Sequence, residues 1–151
     1  MKHICRQSAL LSTLILSLTG CLKTDDSLTL DLTMEGFNRD EAAHLVESFY
    51  DAAIALKHCK FIADKYPSTQ IEIEMLLGDE NINVEKMPDD SFACGQATKK
   101  TNTIKINTRD FFKPQKDRRC PQTAMLASHE LIHLAGIEDE KTVEEIVWGC
   151  L

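Results

Sequence analysis

The chain has 151 residues and a formal net charge of −7, with 24 acidic side chains against 17 Lys and Arg. That length accommodates one domain with a sizeable core. The acidic balance and the lack of a polybasic stretch exclude nucleic acid as an expected partner, since such binding rests on basic patches.

In chain order, the first feature is a short positive segment at Lys2 and Arg6, followed by uncharged residues 7–20 with Leu10, Leu11, Leu14, Ile15, Leu16 and Leu18. This apolar run is too short for a permanent span, which needs about 20 apolar residues, and reads as a secretory signal. It closes on Leu18-Thr19-Gly20-Cys21, which resembles the lipobox of bacterial lipoproteins. The resemblance implies cleavage before Cys21 and palmitate-type acylation of that cysteine. It places the protein in a bacterial cell envelope, anchored to membrane by lipid, with the outer membrane preferred because no aspartate follows the cysteine. More than one acyl chain gives stable anchoring, at about 0.8 kcal/mol per buried methylene.

With residues 1–20 assigned to the signal, polar residues 21–36 are expected to be a tether and residues 37–151 the domain. Cys59, Cys94, Cys120 and Cys150 remain, an even number suited to two disulfides in an oxidising compartment. Cys120 precedes a strongly helical segment and Cys94 lies on a hairpin expected beside it. Cys150 stands near the chain end, where a bond to Cys59 would clamp the last helix to the first. The favoured pairing is therefore Cys94–Cys120 with Cys59–Cys150.

Asn38 with Glu41 three residues on has the capping-box pattern, and Ala42, Leu45, Val46, Phe49, Ala53 and Leu56 recur at helical spacing. A backing helix is predicted from there to about Asp64, with Pro67 as its limit. Ile71, Ile73, Met75 and Leu77 alternate with polar residues, which predicts a strand. Residues 78–90 read as a loop with room for one short strand. Residues 92–98 and 103–107 flank a Lys-Lys-Thr-Asn turn, which predicts an antiparallel hairpin. Residues 108–119 read as a surface connection. A second helix is predicted from Pro121 to Ala135, with Gly136 at its C-cap, and a third from Glu140 to Trp148. The class is α+β, with a small mixed or antiparallel sheet.

His129-Glu130-Leu131-Ile132-His133 falls inside the second helix. Histidines four apart share one helix face, so both imidazoles can reach one zinc ion at about 2.0–2.1 Å. Glu130 lies about 100° round the helix, where it can act on a water as general base without becoming a ligand. The surrounding residues are apolar, so these three polar groups need a compensating role. His44 and His58 read as surface histidines, and Trp148 as a core anchor.

The stretch from His129 through Gly136 to Asp139 resembles the zincin superfamily, in its metzincin-like form H-E-x-x-H-x-x-G-x-x-[H/D]. The resemblance implies a zinc metallopeptidase with His129, His133 and Asp139 as metal ligands and Glu130 as catalytic base. It also implies that the strand around Ile104 and Ile106 is the sheet edge that pairs with a peptide or protein substrate. Glu144 or Glu145 remains an alternative third ligand, with Glu138 or Glu140 behind them. The other functional reading is a non-catalytic zinc-binding or structural envelope lipoprotein.

Overall fold

The computed structural model describes Leu28 and residues 30–151, so the expected signal over residues 1–20 and the expected acylation site at Cys21 lie outside the described residues. Among the described residues, no helix is long and apolar enough to cross a membrane. The fold is α+β, as the order of elements predicts. Strand β1 covers Asp31–Glu35, helix α1 Arg39–Lys57, α2 Lys60–Lys65 and α3 Pro67–Asp79. Strands β2 (Asn81–Lys86), β3 (Gly95–Thr98) and β4 (Thr103–Ile106) follow, then α4 (Thr123–Leu134) and α5 (Glu140–Cys150).

The four strands form one sheet in the order β1-β2-β4-β3. β1, β2 and β4 run parallel, while β3 returns antiparallel to β4 with Gly95 opposite Ile106 and Thr98 opposite Thr103. Leu32, Met34, Ile82, Val84, Ile104 and Ile106 are buried on one face, against the helices. Polar residues occupy the other face, where Lys105 pairs with Glu85 at 3.3 Å. The sheet thus has the one-sided alternation of a two-layer α+β domain.

Helix α1 begins with the predicted capping box: Glu41 N–H donates to Asn38 Oδ1 and Asn38 N–H to Glu41 Oε2, both at 2.9 Å. The free oxygen of Glu41 accepts from Lys86 Nζ at 2.8 Å and Thr108 Oγ1 at 2.7 Å. One carboxylate therefore caps α1 and ties it to β2 and to the segment after β4. His44 Nε2 lies 2.9 Å from Thr123 Oγ1, with its ring edge-on to Phe111, so this histidine joins α1 to the start of α4.

Both expected disulfides are present, Cys59–Cys150 and Cys94–Cys120. The first closes a separation of 91 residues and the second one of 26. Restriction of the unfolded chain makes each bond worth about 2–4 kcal/mol. The longer loop contributes roughly 1 kcal/mol more. Replacing Cys59 and Cys150 together by Ser is expected to lower the urea midpoint more than the Cys94/Cys120 double replacement does. Equal losses would contradict that ordering.

Several elements differ from expectation. The tether read over residues 21–36 ends early, because Asp31–Glu35 is a strand paired with β2. Its alternation of Leu32 and Met34 with Asp31, Thr33 and Glu35 spans only five residues and is masked by polar composition. The first helix stops at Lys57, and the chain restarts at Lys60 after Cys59, the disulfide residue. The strand read over residues 70–77 is helix α3. Pro67 does not end a helix; it opens this one, at a position where its missing N–H costs nothing. Thr69, Ile73, Leu76 and Leu77 form the buried helical face, leaving Ile71 and Met75 exposed. Trp148 is 74% exposed and not a core anchor. The edge strand beside α4 is β3, since β4 with Ile104 and Ile106 is flanked on both sides.

The connection over residues 108–119 is more than a surface loop. Asp110 is buried and accepts from Lys113 Nζ at 2.9 Å, Arg119 N–H at 2.8 Å and Cys120 N–H at 3.2 Å. These donors, led by Lys113, hold its carboxyl at about 2, below its ordinary 3.8. A depressed folded value means that the stabilisation is complete above 3.8 and is lost as pH falls through about 2. Asp110→Asn is expected to flatten the acid limb of a urea-midpoint profile in that window. An unchanged limb would remove Asp110 as its cause.

Candidate metal centre

Helix α4 carries the site. Its buried face includes Leu126, Ala127, Leu131, Ile132 and Leu134. This packing fixes the helix against α1 and β3 and sets the rotation that brings His129 and His133 to its open side. The two Nε2 atoms stand 3.1 Å apart. His133 Nδ1 lies 2.7 Å from the Ile137 carbonyl oxygen, to which it donates. That bond leaves His133 Nε2 as the ring's free acceptor, the arrangement found in metal-bound imidazoles.

The turn after α4 makes this bond possible. Gly136 has φ +100°, a left-handed conformation that a side chain would strain. Its N–H donates to His133 O at 2.9 Å, and Ile137 N–H to Ile132 O at 3.3 Å. The chain thereby doubles back, carrying the Ile137 carbonyl to His133 and the first turn of α5 over the histidine pair.

The carboxylate that arrives there belongs to Glu140. Its Oε2 is 3.1 Å from His129 Nε2 and its Oε1 3.3 Å from His133 Nε2. His129, His133 and Glu140 together form a group able to hold a metal ion, with ligand atoms all within 4.8 Å of one another. The separations fit such an ion: tetrahedral bonds of about 2.0–2.1 Å place ligand atoms roughly 3.3 Å apart.

Asp139, expected as the third ligand, has another task. Its Oδ2 accepts from Thr142 N–H at 2.9 Å and Thr142 Oγ1 at 2.6 Å, capping α5. Glu145 is drawn off to Lys65 at 2.6 Å and Tyr66 Oη at 3.1 Å. Glu144 lies near His129 in an adjoining cavity. Glu140, the least favoured position by sequence, is therefore the carboxylate the fold presents. Burial and the neighbouring His133 lower the pKa of His129, while Glu140 opposes that shift.

Glu130 is 4% exposed and sits between α4 and β3. Burial pushes its carboxyl up to about 7, the charge of Glu140 adds to the shift, and the Ala97 backbone N–H pulls it back. A carboxyl in that range can both accept and return a proton near neutrality. Gly95 makes room for it, because a Cβ there would overlap the Glu130 carboxylate. Sequence reasoning passes over Gly95; the only available signal is a glycine inside a strand arm, which marks close approach. A polar groove of about 360 Å³ runs past β3, with Gln96, Lys99, His129, His133 and Glu140 along it.

The chain matches no family model, no curated protein and no solved structure.

Proposed function

We propose that the protein is a zinc-dependent peptidase of zincin type, exported and anchored through an acylated Cys21. The observation that carries this reading is the convergence of His129, His133 and Glu140 beside a buried glutamate that lies outside that group. His129 and His133 would hold the ion through Nε2 and Glu140 through its carboxylate, with the His133 tautomer already fixed by Ile137. Bound there, zinc supplies Lewis acidity toward water and toward the substrate carbonyl.

The chain's own groups do the rest. Glu130 takes a proton from the attacking water and returns it to the departing amine. β3 ends the sheet and lines the groove with Gly95, Gln96 and Ala97, so an extended peptide would lie along it with its scissile bond near His129, the Ala97 N–H staying with Glu130. A metal-binding envelope lipoprotein without turnover is the second reading. The 70% exposure of Glu140 favours it, since an open ligand allows an ion to be exchanged easily.

Hydrolysis of an unfolded protein by the zinc-loaded chain, lost on chelation and restored by zinc, is the expected result. Stoichiometric zinc with no hydrolysis would leave the second reading.

A further inference from the structure

Glu130 and His129 border a second cavity, of different character from the polar groove. It measures about 410 Å³ and is walled by Cys94, Pro121, Met125, Leu126, Val147 and Trp148. A cavity of roughly 150 Å³ already holds a benzene ring, so this one accommodates an aromatic side chain with its adjoining backbone. Its acidic groups are Glu130 and Glu144. Gly95 borders both cavities, so an extended chain following β3 past His129 passes the mouth of the second.

Trp148 gives the cavity an unusual wall. Most of the residue lies open to water although it lines the cavity together with Met125 and Val147. Large aromatic rings are held in the open at surfaces that bury them on binding. Helix α5, which carries Trp148, is fixed to α2 by Cys59–Cys150, while Cys94–Cys120 fixes the opposite wall to the entry of α4. The walls are thus braced before any ligand arrives.

We infer that this cavity is the specificity pocket, accepting a bulky apolar or aromatic side chain beside the scissile bond and rejecting an acidic one. Met125 and Trp148 set its size, and Glu144 sets the charge selection. As a substrate preference this rests on the peptidase reading; as a binding property it is measurable without turnover.

Trp148 is the only tryptophan of the chain, so its fluorescence reports occupancy directly. N-acetyl-phenylalanine amide is expected to give a saturable blue shift in the wild-type chain, and N-acetyl-glutamate amide none. Met125→Phe, which fills the cavity, should weaken the response at least about tenfold. In the hydrolysis arm, paired peptides differing only by Phe or Glu beside the scissile bond should differ at least about tenfold in kcat/KM, and Trp148→Ala should shrink that ratio. The ratio is internal to each preparation, so partial folding or metal loss does not mimic it. An absent shift with the phenylalanine amide, an equal shift with the glutamate amide, or a peptide ratio near one would overturn the inference. A saturable shift with no peptide cleaved would uphold the pocket and overturn the peptidase reading.

Discussion

Glu130→Gln is expected to keep the fold and the metal and to lose hydrolysis. The amide has nearly the shape of the carboxyl, and its oxygen can still accept the Ala97 backbone N–H that holds Glu130. The buried position beside Gly95 stays filled, so the packing between α4 and β3 is unchanged. The replacement takes away only proton transfer. General-base catalysis contributes typically 10²- to 10⁴-fold, so a drop of at least about 100-fold in kcat is expected, with zinc content near that of the wild type. Turnover of the variant at the wild-type rate would remove Glu130 from the chemistry. Loss of zinc would move it into the ligand set.

The second large effect separates two adjacent carboxylates. Glu140→Ala is expected to lower zinc affinity at least about 100-fold, because it removes one of the three proposed protein ligands; partners merely adjacent to a metal typically cost 10- to 100-fold. Asp139→Ala leaves the three ligand side chains in place. Its loss frees the Thr142 N–H and loosens the start of α5, so a modest fall in stability and a smaller fall in affinity are expected. Competition titration with a chromophoric chelator measures both. The reverse order, with Asp139→Ala the more damaging, would restore Asp139 as the ligand and require the turn after Gly136 to open further.

This pair shows where sequence spacing runs out. That His129 and His133 share one helix face was legible because a helix fixes their relative direction once its period is known. The placing of Glu130 on the same helix, turned away from that face, was legible for the same reason. Which carboxylate faces the histidines depends on a turn, and in a turn each residue's direction follows from individual backbone angles that spacing does not encode. Gly136 announces the reversal, but only the positive φ and the Ile137 carbonyl bond determine that Glu140 faces the histidines and Asp139 faces Thr142.

The fold divides along a similar line. The capping box at Asn38 and the hairpin around residues 99–102 rest on local chemistry, and both are present. The two disulfides were legible because they join segments whose neighbourhood followed from the hairpin and the helix order. Helix α3 was not, since Ile71, Ile73, Met75 and Leu77 satisfy a period of two while Thr69, Ile73, Leu76 and Leu77 satisfy the helical one. Tertiary burial chose between them, with Pro67 as the neglected start signal. Strand β1 was hidden because five residues are too few to outweigh a polar composition.

The most direct measurement is the zinc stoichiometry of the full-length chain, refolded with its disulfides intact, beside that of His129→Ala and His133→Ala. One zinc ion per wild-type chain is expected, with most of it lost from either variant and a lower thermal midpoint for the wild type after chelation, because binding stabilises the folded state. A wild-type chain that takes up no zinc, or single variants that both keep the wild-type zinc content, would contradict a metal centre at His129, His133 and Glu140.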